Sequence, residues 1–267
     1  MTGKKFVETI KKNLVLSIAL CIALLVFIGS AIALIIHFIP EKNSYEKYTK
    51  TGSVPKIVAP EKKDEKPDNP IDYAAHKSQN QDVCGWITVD GTNINYPVLR
   101  SGADKAEDFY LNHDLAGAKK TAGSIYIQRL NSADFSDSNT VIYGHNMLNG
   151  SMFASLKNFR NTEFFNTNRN MYIYTPGHAK RYEIVAAFLY DDRHIINSFN
   201  FNMAEGMQAY IDTVKNPQTT VRNMLPGAEM SLDDKLITLS TCTSKSKERY
   251  LVVGRLTEDT LTKKKDK

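Results

Sequence analysis

Three side chains in this sequence could together do covalent chemistry, and each stands at the edge of an apolar run. Cys242 ends the run Thr238-Leu239-Ser240-Thr241-Cys242 and is followed by a polar turn. A thiol at a strand end is held rigidly yet opens to solvent, as a nucleophile requires. Its ordinary pKa of about 8.5 means that it needs a base or a positive neighbour to act near neutral pH. His145 ends a second run, Asn139-Thr140-Val141-Ile142-Tyr143-Gly144-His145, and could move the proton. Arg249 opens the next run after Cys242, so a hairpin would carry its permanently charged fork beside the thiol, where an oxyanion could be stabilised. Taken singly, each has a structural reading: a core cysteine, a hydrogen-bonding histidine, a strand-edge charge. Together they support acyl transfer through a thioester. Arg255 competes with Arg249, because a period of two puts it on the same face, at the far end of the strand. Cys84 and His113 are reserve candidates, although Cys84 starts a strand before Gly85-Trp86 and reads better as packing.

Short β runs separated by polar turns would position these groups. They cover 85–89, 93–98, 124–128, 140–143, 171–174, 182–190, 236–241 and 249–256, and Asp90-Gly91 is a hairpin signal. Eight such runs predict a mainly β domain, a mostly antiparallel closed barrel or a sandwich, decorated by helices. A short helix is expected over 71–79 with Pro70 in its first turn, and another over 152–159. A third lies within 201–215, where Met203, Met207, Tyr210, Ile211 and Val214 recur at helical spacing before Asn216-Pro217 stops it.

Ahead of this domain, 14–36 carries no charge. As a helix it would span about 34 Å, enough for the hydrocarbon core of a bilayer. No small-residue cleavage site follows, so an uncleaved anchor over 14–39 is expected. Lys4, Lys5, Lys11 and Lys12 place the N-terminus in the cytoplasm and everything after Pro40 outside. The charged, proline-rich stretch 40–70 then reads as a linker, 71–258 as the catalytic domain and 259–267 as a basic tail.

The net charge of +5 in 267 residues mixes both signs, which excludes a dedicated nucleic-acid binder. Three cysteines, one of them in the apolar span, do not make a disulfide framework. No zinc-type spacing or carboxylate cluster occurs, so neither a metal nor an organic cofactor is expected.

With these residues in place, the sequence resembles the sortases, transpeptidases that attach proteins to the cell wall of Gram-positive bacteria. Their T-L-x-T-C signature stands as Thr238-Leu239-Ser240-Thr241-Cys242, their histidine matches His145, and their arginine matches Arg249 ahead of Tyr250-Leu251-Val252-Val253. The stretches Ser138-Asn139-Thr140 through His145-Asn146-Met147, Asn149-Gly150-Ser151-Met152-Phe153, Phe109-Tyr110-Leu111-Asn112-His113-Asp114 and Ala122-Gly123-Ser124-Ile125-Tyr126 look like class B in particular. So does a helical insertion over about 191–234.

The resemblance, which spans about 71–257, implies an eight-stranded barrel with Cys242 as nucleophile, His145 as proton partner and Arg249 as oxyanion stabiliser. It implies cleavage after threonine in another protein's C-terminal sorting signal, N-P-Q-T-x-like rather than L-P-x-T-G-like, and transfer to a peptidoglycan cross-bridge amine or a pilin lysine. Ser240 and Thr241 would help position substrate, and Tyr143 and Asn146 are further groove candidates. A pilus polymerase, a peptidase that delivers the acyl group to water and an inactive wall-binding module remain open beside it. Asn216-Pro217-Gln218-Thr219-Thr220 is similar to such a signal, but no apolar span or basic tail follows it, so it reads as a helix stop and loop.

Overall fold

The computed structural model describes residues 16–35, 66–243 and 247–263. The chain divides into two units, 1–48 and 49–267. The first holds α1 (Leu16–Ile35), 20 residues long, with a mean hydropathy of 3.0 over its most apolar 18-residue stretch. That length corresponds to about 30 Å of helix, so α1 is a candidate membrane span. Most of the expected linker, 40–65, lies outside the described residues. Its last residues do not: Asn69 is buried and donates to Thr175 O at 2.9 Å and to Thr262 Oγ1 at 3.0 Å.

The second unit is built on a nine-stranded sheet. Its strands are β1 (Val83–Val89), β2 (Asn95–Arg100), β3 (Ile125–Ile127), β4 (Asn139–Tyr143), β5 (Asn170–Thr175), β6 (His178–Asp191), β7 (Arg222–Met224), β8 (Leu236–Cys242) and β9 (Glu248–Leu261). They lie in the order β5-β1-β2-β3-β4-β8-β9-β6-β7, and β5 also pairs with β6. That last pairing closes eight strands into a barrel and leaves β7 as a short addition to β6, opposite Ala186 to Phe188. Closure removes the exposed edges that an open sheet would carry. The eight runs read from the sequence are the eight barrel strands; β7 was not anticipated, because three residues show no period.

Helices fill the outside. Asp72 caps α2 (Tyr73–Gln79) by accepting from Ala75 N at 3.0 Å, so Pro70 lies before the helix rather than in its first turn. The expected helix near 152–159 is a 3-10 helix, Ala154–Arg160, followed by α3 (Thr162–Thr167), which Asn161 caps. Between β6 and β8 come α4 (Ile195–Ser198) and α5 (Ala204–Lys215). Met207, Tyr210, Ile211 and Val214 of α5 are buried against Val141, Val185, Phe188, Leu236, Leu251 and Val253. This packing lays the insertion on the outer face of β4, β8, β9 and β6. One face of β8, carrying Leu236, Thr238, Ser240 and Cys242 by the period of two, therefore looks toward the insertion and not into the barrel.

A buried polar chain fixes this layer. Thr238 Oγ1 donates to Asn139 Oδ1 at 3.0 Å, so Tyr210 on α5 must donate its hydroxyl proton to Thr238. Asn131 holds the start of β4 from the other side, donating to Asn139 O and accepting from Val141 N, both at 2.9 Å. The two hydroxyls and the Asn139 and Asn131 side-chain oxygens are paired, which offsets their removal from water, whereas Asn139 Nδ2 is buried without a protein partner.

Candidate active site

The ends of β8 and β9 carry two of the three expected residues, and the third follows the end of β4. Cys242 is the last residue of β8, and its direct antiparallel partner on β9 is Arg249. Directly paired side chains point to the same face with Cβ atoms about 4.5–5.5 Å apart. On the other side of β8, Tyr143 of the parallel strand β4 pairs with Ser240. His145, two residues beyond Tyr143, therefore comes level with Cys242 at about one strand spacing, ~4.8 Å. Gly144 N still donates to Ser240 O at 3.2 Å, so the register holds up to the imidazole.

Gly144 is needed for space. A Cβ there would stand 2.4 Å from Ile125 Cδ1 and 2.8 Å from the Phe153 ring. The His145 ring is fixed by Nε2, which donates to Leu111 O at 2.8 Å. Leu111 O is itself clamped, because Gly123 (φ +57°) packs so tightly that an added Cβ would lie 2.1 Å from it. Gly123→Ala would combine a left-handed backbone with that collision and cost at least about 2 kcal/mol. The expected result is a Tm lower by about 5 °C or more. Turnover should also fall, since the carbonyl that orients His145 must move. Thermal unfolding and a peptide-cleavage assay on one sample would check both.

The three residues share a cleft of about 280 Å³. The groove candidates Tyr143, Ser240 and Thr241 also line it, whereas Asn146 is exposed outside it and bridges Met152. The roof is the start of the insertion, Asp192, Arg193, His194 and Ile195, and the opposite wall is Asp108, Leu111, Tyr126 and Gln128. None of these eight was singled out from the sequence, although the Asp191-Asp192-Arg193-His194 run at a strand end was a signal of a polar rim. Tyr126 stacks on Tyr143 with centroids 5.4 Å apart, and His194 tilts over Tyr143 at 5.8 Å. Burial raises both phenol pKa values and lowers that of His194, so this aromatic wall is uncharged at neutral pH. Four buried polar atoms on the lining, Tyr143 Oη, His194 Nδ1, Gln128 Oε1 and Thr241 Oγ1, have no protein partner.

The reserve candidates fall elsewhere. His113 stacks flat on Phe109 at 3.8 Å and bonds Phe109 O through Nδ1. Arg255 pairs with Leu236, six register positions from the Arg249 row, and contacts Glu183 and Glu229 O. At ~3.4 Å per residue that is about 20 Å from the thiol. Cys84 is buried with Sγ on Val98 O at 3.4 Å, and burial pushes its thiol up to about 12. Of the two domain cysteines, iodoacetamide at pH 8 should therefore label Cys242 and spare Cys84 until denaturant is added, as peptide mapping would show. Labelling of both in the native protein would contradict this placement.

The fold is shared with known proteins. The sortase domain family matches residues 87–257. Listeria monocytogenes sortase B is 34% identical over 183 residues, covering 66% of this chain and 70% of that protein. Clostridium perfringens sortase B superposes with a TM-score of 0.63 at 30% identity, over 70% of this chain and all of that one. Bacillus anthracis sortase B, solved in complex with AAEK1, gives 0.67 at 25% identity, over 83% of this chain and all of that one. A closed barrel, a thiol at the end of the strand Leu236–Cys242 and relatives of this kind lead to one conclusion: the chain belongs to the sortase family of cysteine transpeptidases, and its likeness is to class B.

Proposed function

We propose that the protein cleaves the C-terminal sorting signal of an exported protein after a threonine and joins the new carboxyl end to an amine of cell-wall peptidoglycan. One observation supports this reading above the others: Cys242 and Arg249 pair across β8 and β9, His145 follows the end of the neighbouring β4, and all three line one cleft. Cys242 passes its thiol proton to His145, Sγ attacks the carbonyl carbon after the threonine, and the C=O electron pair moves onto oxygen. Arg249 then supplies fixed positive charge to that oxygen, where a planar, always charged donor is most effective. Collapse breaks the C–N bond, and His145 gives its proton to the departing amine, leaving a thioester. In the second half, an amine attacks the thioester, His145 takes its proton and the C–S bond breaks to restore Cys242. Because Nε2 donates to Leu111 O, Nδ1 is the nitrogen left to exchange that proton.

The thioester must outlast the wait for the amine, and the wall of Tyr126, Tyr143, His194 and Ile195 limits the approach of water. The unpartnered atoms on the lining are suited to the N–H and C=O groups of an extended peptide, which would otherwise be desolvated without compensation. Ser240, Thr241 and Tyr143 are the positioning residues in this reading, and an N-P-Q-T-x-like signal is the expected donor. The helix Leu16–Ile35 anchors the enzyme, with its N-terminus in the cytoplasm and the barrel outside.

The test is product analysis with N-P-Q-T-type and L-P-x-T-G-type peptides, with and without an amine acceptor. An amine-linked product that grows with acceptor concentration is expected. Hydrolysed peptide alone, despite abundant amine, would make the protein a peptidase, and no turnover of any peptide by folded protein would make it a binding module.

A further inference from the structure

A second cleft, of about 580 Å³, opens beside the first. Its walls are the end of β6 (Phe188, Tyr190, Asp191), the end of α5 (Asp212, Thr213), the loop Asn216 to Thr219, and Lys247 and Glu248. Arg193 lines both clefts, and Glu248 immediately precedes Arg249. The register makes the connection explicit. Tyr190 on β6 pairs with Arg249 on β9, which pairs with Cys242 on β8, so one row runs from the thiol into the second cleft. Two strand spacings separate its ends, about 10 Å, the length of about three extended residues.

The lining is not that of a scaffold crevice. Tyr190 is 8% exposed, its phenolic oxygen is buried, and that oxygen has no hydrogen-bond partner. Asp191 is occupied by Arg193, which it accepts from twice at 2.8 Å and which lies over the Tyr190 ring at 5.4 Å. Asp212 contacts only a neutral group among the bonds seen here, accepting from Gln208 Nε2 at 2.8 Å. Its carboxylate faces the cleft from an exposed helix position, as a cation would require.

We infer that this second cleft receives the acceptor: a primary amine carried on a slender peptide arm. The inference rests on the transpeptidase reading above. Asp212 draws in the ammonium, and the arm then reaches along the Tyr190–Arg249–Cys242 row to the thioester. There the ammonium loses one proton to water, the free amine attacks the carbonyl carbon, and His145 takes the second proton as the C–S bond breaks and Cys242 leaves. The donor and the acceptor thus occupy different clefts that meet at Arg193, and the two half-reactions can be separated by mutation.

The experiment uses the full chain in detergent, with a sorting-type peptide as donor and triglycine as acceptor. Asp212→Lys reverses the charge on the wall, Gln218→Trp narrows the cleft from its exposed rim, and Asp233→Lys makes the same charge change at an exposed position outside both clefts. In the two cleft variants, KM for triglycine should rise about tenfold, the size of one charge contact at a partly exposed wall. The rate of acyl-enzyme formation should stay at the wild-type value, and Asp233→Lys should change neither. An unchanged triglycine KM in both cleft variants overturns the inference, as does an equal rise in Asp233→Lys. Slower acylation with unaltered triglycine KM assigns the cleft to the donor and overturns it equally. If the wild type forms no acyl-enzyme, it is the transpeptidase reading itself that fails.

Discussion

Replacing Cys242 by Ala should abolish both the thioester and every product, lowering turnover by at least about 10⁴-fold, the scale seen when a covalent nucleophile is removed. The barrel should survive, because Cys242 is only partly buried and ends its strand. The change removes one sulfur from the edge of the outer face and leaves the polar chain through Thr238, Asn139 and Tyr210 untouched. Unfolding in urea should give a midpoint close to wild type, so loss of activity would be chemical and not structural. The companion change Cys84→Ala has the opposite signature. It empties space under β1 and β2, costs stability and leaves the cleft chemistry in place. Activity retained in Cys242→Ala would remove the nucleophile from the account.

Arg249→Ala carries the second large effect. A donor aimed at the developing oxyanion is worth about 10²–10³ in rate, and the loss should appear in kcat more than in KM. Arg249→Lys should recover little of it, because an ammonium on a flexible stem does not reproduce a fixed planar fork. Arg255→Ala separates role from charge. It deletes the same group type from the same strand, but one that contacts Glu183 and Glu229 about 20 Å from the thiol. Its effect should be confined to stability, within about 1 kcal/mol, as for partly exposed ion pairs. Equal rate losses in Arg249→Ala and Arg255→Ala would deny Arg249 a special place.

How much of this was legible in the sequence differs between the strands and the cleft. Runs such as Leu236–Cys242 and Glu248–Leu261 announce themselves, because a barrel strand must keep apolar residues at every second position. The thiol, the imidazole and the guanidinium could be read because each sits at the end of such a run, where register alone brings them level. Arg255 was a fair rival on period and lost on distance, which period does not report. The roof of the cleft was not legible. Asp192, Arg193 and His194 reach the site only because Tyr210 and its neighbours on α5 dock the insertion onto the outer face, a tertiary event with no local signature. Thr238 belongs to the same class. Its place in the signature around Cys242 suggests chemistry, yet its hydroxyl ties β8 to β4 and α5. Gly144 was not legible either, because the crowding by Ile125 and Phe153 that requires it is visible only once the strands have met.

The most direct test of the central claim is the intact mass of the protein after brief mixing with a sorting-type peptide and no acceptor. The account predicts an adduct equal to the peptide up to its threonine, mapping to the fragment that contains Cys242 and released by hydroxylamine. An adduct on any other residue, or free cleaved peptide with no adduct at the shortest times, would contradict a thioester at Cys242.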